Sequence, residues 1–107
     1  MLATDIIRAA AQASNMTVEY LLGPKRNRRV MRVRFALYWA FRERGASFAQ
    51  IGFWMNRDHS TVIYGQRRAQ YVFDRDPAFR DFCLKLRDMG PKKVAQAEQK
   101  VLQTEVA

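Results

Sequence analysis

The sequence predicts an all-α protein, a compact bundle of five to six helices that includes a helix-turn-helix pair. Three observations carry this: apolar residues recur every three to four positions, strand-like alternation is missing, and capping or stopping residues stand between the periodic segments. At 107 residues there is room for one domain and a short tail. Apolar residues make up 49% of the chain, with seven Phe, four Tyr and two Trp, which is a core-forming composition and not that of a disordered basic tail.

Thr4 or Asp5 can cap a first helix to about Ala13, with Ile6, Ile7 and Ala10 inward and Ser14 and Asn15 ending it. Thr17 can cap a single turn, Val18 to Leu22, that Gly23 and Pro24 stop. A basic loop from Lys25 to Arg29 leads into a long helix from Val30 or Met31 to Arg44, ended by Gly45. Phe35, Tyr38, Trp39 and Phe41 or Arg42 form its inner face at helical spacing. Ser47-Phe48-Ala49-Gln50 is a capping box opening a short helix that ends near Met55, with Ile51 and Trp54 on one side. Asn56 and Arg57 make a tight connection to Asp58, the expected N-cap of a helix to about Phe73 with Val62, Ile63, Ala69 and Val72 inward. Two helices joined this closely form a helix-turn-helix candidate.

Asp76 followed by Pro77 repeats the start signal. Phe79, Phe82, Cys83 and Leu86 then give the inner face of a last helix, stopped by Gly90 and Pro91. The domain boundary is expected there, residues 1–90 forming the domain and 91–107 a tail. In the tail Val94, Ala97, Val101 and Leu102 form a weak apolar stripe, readable as a solvated helix, a partner-binding helix or a disordered segment.

Several chemistries fall away. One cysteine and one histidine cannot build an internal disulfide or a zinc site, and the five glycines never fall into a phosphate-loop pattern, so no metal or cofactor is expected. No run is apolar enough for a membrane span and no signal peptide opens the chain, which suggests a cytoplasmic, nucleoid-associated protein. Cys83 lies on an apolar stripe and reads as an inert buried thiol, and no carboxylate pair has a suggestive spacing; an enzyme is not expected. Helical spacing likewise makes Trp39 and Trp54 core residues in preference to base-stacking ones.

Charge is the positive clue. Nineteen Lys and Arg oppose ten Asp and Glu, a net +9. Residues 1–19 sum to −1 and 74–107 to +1, so the surplus sits entirely in 20–73, and six of the ten residues from Lys25 to Arg34 are basic. Such a patch asks for an anionic partner. Arg57-Asp58-His59-Ser60-Thr61-Val62 then sets a run of polar side chains at the start of the second helix of the pair, whose first residues meet base edges in the major groove. Asp can accept from cytosine N4, His can bond a purine, and Ser or Thr can bond any base.

From Ile6 to about Ala69 the chain resembles the C-terminal DNA-binding domain of the bacterial replication initiator DnaA. The resemblance is carried by Tyr20-Leu21-Leu22, by Lys25-Arg26-Asn27-Arg28-Arg29-Val30 and Arg32-Val33-Arg34, by Ser47-Phe48-Ala49-Gln50-Ile51-Gly52, and most specifically by Arg57-Asp58-His59-Ser60-Thr61-Val62-Ile63. It implies binding to double-stranded DNA, with Asp58, His59, Ser60 and Thr61 at the major groove and Arg26 in the adjacent minor groove. Lys25, Arg28, Arg29, Arg32, Arg34, Phe48, Ala49, Arg57 and Tyr64 are then expected against the DNA backbone. Arg67 and Arg68 read equally as further backbone contacts or as solvated charges. With about six to eight phosphates neutralised, binding should fall steeply with salt.

The chain also departs from the family pattern. Ser60 stands where the family usually has Thr, Val33 and Ala49 replace prolines, and the turn before Arg57 is about one residue shorter, so a different preferred DNA sequence is expected. No ATPase module is expected before the domain, and so no initiation by this chain alone. The resemblance extends to stand-alone domains of this kind in phage and gene-transfer-agent transcription activators. It therefore implies a transcription regulator acting with a protein partner linked to RNA polymerase, the tail from Lys92 supplying surface for recruitment. The alternative is replication control by competition for initiator sites.

Overall fold

The helices begin where the sequence offers an oxygen to the first unpaired amides. Thr17 Oγ1 accepts from Tyr20 N at 3.0 Å, Asn27 Oδ1 from Val30 N at 2.9 Å, and Ser47 Oγ from Gln50 N at 3.1 Å while the Gln50 side chain returns to Ser47 N at 2.9 Å. Asp58 and Asp76 cap in the same manner. The computed structural model describes residues 3–89: after α1 (Ala3–Ala13), these caps open α2 (Val18–Leu22), α3 (Arg28–Glu43), α4 (Phe48–Met55), α5 (His59–Arg75) and α6 (Pro77–Asp88).

The expected elements are all present among the described residues, with several boundaries moved. α1 already includes Ala3, so Thr4 and Asp5 lie within the helix, Asp5 paired with Arg8 at 3.3 Å. α3 starts at Arg28, ahead of Val30, because the Asn27 side chain caps it. α5 continues past Phe73 to Arg75. The tail from 91 and its stripe, with the boundary at Gly90, lie outside the described residues.

α3 is the axis of the molecule. From Val33 to Phe41 every residue except Phe35 is buried, and the helix touches each of the other five. A helix apolar on nearly all sides must be surrounded. α5 lies so close against it that a Cβ on Gly65 would stand 2.4 Å from the Tyr38 ring carbons. Further along, Trp39 stacks on Phe73 with centroids 4.4 Å apart and donates Nε1–H to Gln70 Oε1 at 2.8 Å. Phe41 meets the half-buried Trp54 of α4 at 5.1 Å. α6 closes the core with Phe79, Cys83 and Leu86, and burial pushes the Cys83 thiol up to about 12, in keeping with an inert role. Val62 and Ala69 are buried as expected, whereas Ile63 and Val72 are only half-buried.

Asp76 joins the last two helices. Its N–H closes α5 on Val72 O at 2.8 Å, and its Oδ1 caps α6 by accepting from Ala78 N at 3.0 Å and Phe79 N at 3.2 Å. Its Oδ2 pairs with Arg32 of α3 at 2.9 Å, so one aspartate fixes the far end of α5 to the central helix.

Candidate nucleic-acid interface

The helix-turn-helix geometry rests on two backbone features. α4 ends on Asn56 in the left-handed region, φ 56° and ψ 48°, and Arg57 N–H then turns back to Gly52 O at 2.9 Å. The Arg57 carbonyl passes so near Gly52 that a Cβ there would lie 2.4 Å from it. A glycine in this position is what allows so short a turn.

The turn delivers Asp58 to the start of α5. Its Oδ1 accepts from Ser60 N at 2.9 Å, Thr61 N at 3.1 Å and Ser60 Oγ at 2.5 Å, while Oδ2 has only a long contact to Thr61 Oγ1 at 3.5 Å. The bond from the Ser60 hydroxyl, with the Thr61 and Ser60 amides behind it, holds the carboxyl below the usual aspartate range. Asp58 is therefore a cap and an orienter of Ser60, and Oδ2 is the oxygen that carries the lighter load. His59, Ser60 and Thr61 are all exposed on the first turn, and Tyr64 follows on the same helix at 63% exposure.

The basic residues divide into two groups. Lys25, Arg26 and Arg28 reach solvent at or beside the loop, which Asn27 holds by capping α3 and bonding the Tyr20 hydroxyl. Arg28 and Arg29 sit in the first turn of α3, where cations oppose the helix dipole, a placement that favours an incoming anion and not the helix itself.

The other arginines are tied to groups of the protein itself. Arg34 is 3% exposed: Nε donates to Leu21 O at 2.7 Å, Nη2 to Gly23 O at 2.7 Å and Nη1 to Met31 Sδ at 3.3 Å. Arg57, half-buried, donates Nη1 to Leu22 O at 3.1 Å and Nη2 to Gly23 O at 2.6 Å. Together they clasp the carbonyl end of α2, which the last turn of a helix leaves unpaired. Arg32 is held by Asp76 and by the Phe79 ring 5.1 Å away, and Arg29 by the Ser14 and Asn15 carbonyls at the end of α1. The positions expected as basic loop are helical from Arg28 on: Arg29 and Arg34 turn away from Arg28, while Arg32, four residues on, shares its side of the helix and is held there by Asp76.

On α4, Ala49 is exposed, but Phe48 is half-buried with the Arg42 guanidinium 4.3 Å over its ring. Sequence reasoning passed over Phe53, one turn beyond Ala49, which is 86% exposed. Its position opposite the inward Ile51 and Met55 on the helix was the available signal.

Between the loop and the start of α5 lies a cleft of about 460 Å³. Arg26 and Thr61 line it together with Arg34, Tyr38, Asn56 and Arg57, and none of its lining residues is acidic. The described residues show ion pairs at Arg8, Arg32 and Arg87 and none at these three arginines. Burial, and next the neighbouring Arg57, lower the pKa of Arg34, and burial raises that of Tyr38. The cleft concentrates positive charge with no internal counterion.

A helical core presenting a tightly turned helix pair beside a cationic cleft is a helix-turn-helix DNA-binding domain. Residues 3–69 match the family described as the bacterial dnaA protein helix-turn-helix, and the chain belongs to it. The partner of such a domain is double-stranded DNA. A search of curated proteins gave no match. Among the described residues no helix is long and apolar enough to cross a membrane.

Proposed function

We propose that the protein is a sequence-specific regulator of transcription that reads duplex DNA through two adjacent grooves. His59, Ser60, Thr61 and Asp58 Oδ2 read the major groove, and Arg26 enters the minor groove beside it. The supporting observation is the cleft. Its two rims carry Arg26 and Thr61, and a protein that reaches two neighbouring grooves must straddle the single sugar-phosphate strand that divides them. That strand is a line of negative charge. Lys25 and Arg28 contact it directly, while Arg34 and Arg57, tied to protein carbonyls, act on it through their field.

On α4, Ala49 and Phe53 offer apolar contact to sugars or thymine methyls, and Tyr64 bonds a phosphate. Regulation proceeds through a protein partner linked to RNA polymerase. Selection from a pool of random duplexes tests the reading first: the parent should enrich one motif, His59→Ala should blur it, and enrichment of no motif would overturn it. Chromatin immunoprecipitation tests the role, with peaks expected at promoters. Peaks confined to the replication origin, with transcription unchanged on deletion, would replace transcriptional regulation by replication control.

A further inference from the structure

The C-terminal half of α5 carries a surface that DNA reading does not use. Arg68, Tyr71 and Arg75 follow one another at i, i+3 and i+7, the spacing of a single helix face, and continue the line begun by Thr61 and Tyr64. Arg67 flanks them. Tyr71 is 48% exposed, and two guanidinium groups bracket its ring, Arg68 at 5.1 Å and Arg75 at 3.6 Å from its centroid. Arg75 Nη1 also donates to Tyr71 O at 2.9 Å, which fixes the pair. The nearest carboxylate on the helix, Asp74, is turned aside to accept from Gln70 Nε2 at 2.8 Å.

Distance separates this face from the reading end. At the rise of an α-helix, Arg68 lies about 13 Å, Tyr71 about 18 Å and Arg75 about 24 Å beyond His59. With the first turn of α5 at the base edges, Arg75 stands at the opposite end of the helix, so the two ends are free to engage different partners.

We infer that the Arg68, Tyr71 and Arg75 face of α5 docks an acidic segment of a partner protein while the other end of the same helix holds DNA. Three features select that occupant. The face is cationic without an acidic member, so it complements Asp and Glu side chains. Tyr and Arg are the residue types that carry most binding energy in protein interfaces. Tyr71 is already held in place by its two arginines, so little side-chain freedom is lost on docking. Bracketing by guanidinium groups also leaves the ring poorly open to the base stacking that a single-stranded nucleic acid would use.

The inference rests on the DNA-binding reading, and the test keeps the two apart. The full chain is saturated with its selected duplex and titrated with a fluorescein-labelled peptide rich in glutamate and leucine, in parallel with oligothymidylate. The peptide should bind without releasing the duplex, and Tyr71→Ala with Arg75→Glu should weaken it about tenfold while leaving duplex affinity unchanged. Arg75→Gln, which keeps the side-chain length and adds no negative charge, should weaken it less. Peptide affinity that survives these changes, peptide that displaces the duplex, or oligothymidylate binding in its place would each overturn the inference. Loss of duplex affinity in the variants would reassign the face to DNA. Failure of the parent to select any duplex would strike the underlying reading instead.

Discussion

Asp58 performs two tasks with two oxygens, one closing the helix cap and the other facing outward. Both depend on its charge, and the bond from Ser60 that lowers its pKa makes that dependence measurable. The same holds for Asp76, where the bond from Arg32 is the leading cause. A carboxylate with a depressed folded pKa stabilises fully above the unfolded value of about 3.9 and loses that contribution as pH falls through the folded value. Thermal melts should therefore fall as pH drops below about 4, and Asp58→Asn and Asp76→Asn should each flatten that acid limb; an unchanged limb would refute the cap assignment. At neutral pH the residues proposed to read DNA are separable by specificity. His59→Ala should cost about 1–3 kcal/mol on the selected site and relax its sequence, whereas Arg28→Ala should weaken all duplexes alike and reduce the salt slope by about one. Binding titrations on matched and scrambled duplexes at several salt concentrations check both. Phe53→Ala should leave the melting temperature unchanged, since the ring is 86% exposed, and lower only DNA affinity.

Among the elements, close backbone approach matters more than helix propensity. Alanine is the better helix former by about 1 kcal/mol, yet Gly52→Ala and Gly65→Ala should both lower stability in denaturant titrations. Each would force a Cβ to 2.4 Å from a neighbour, the Arg57 carbonyl in one case and the Tyr38 ring in the other. The Gly52 variant should also lose DNA recognition, because the turn itself must open. Arg34→Met leaves the Leu21 and Gly23 carbonyls without this donor, a loss of about 1–3 kcal/mol, and frees the loop that carries Arg26. Minor-groove discrimination should suffer before the reading by His59 does. These elements also show what the sequence can express. Capping boxes and aspartate caps are local, so α4, α5 and α6 were legible to within a residue or two. Asn27 was equally local, but it sat inside a run of basic residues and was read as loop. Most partners of Arg29, Arg32 and Arg34 lie at the ends of other elements, distant in sequence, and nothing in a charge run says which cations face outward. The approach at Gly52 and Gly65 is likewise a tertiary fact, invisible until α3, α4 and α5 are placed together.

For the molecule as a whole, the cleft flanked by Arg26, Arg34 and Arg57 makes the free protein an incomplete electrostatic object. A net charge of +9, converging in part on one site without a carboxylate, works against the compact state. Added salt screens that repulsion in the free domain, yet it also removes the gain from counterion release when DNA binds. The two responses therefore have opposite signs. Melting temperature should climb with sodium chloride over the same range in which duplex affinity declines, and the selected duplex should raise the melting temperature most where salt is lowest. Scanning calorimetry of the free protein and of the complex across a salt series would show the two trends converging, the ions of the solution taking over the neutralising role that the phosphate strand plays in the dilute buffer.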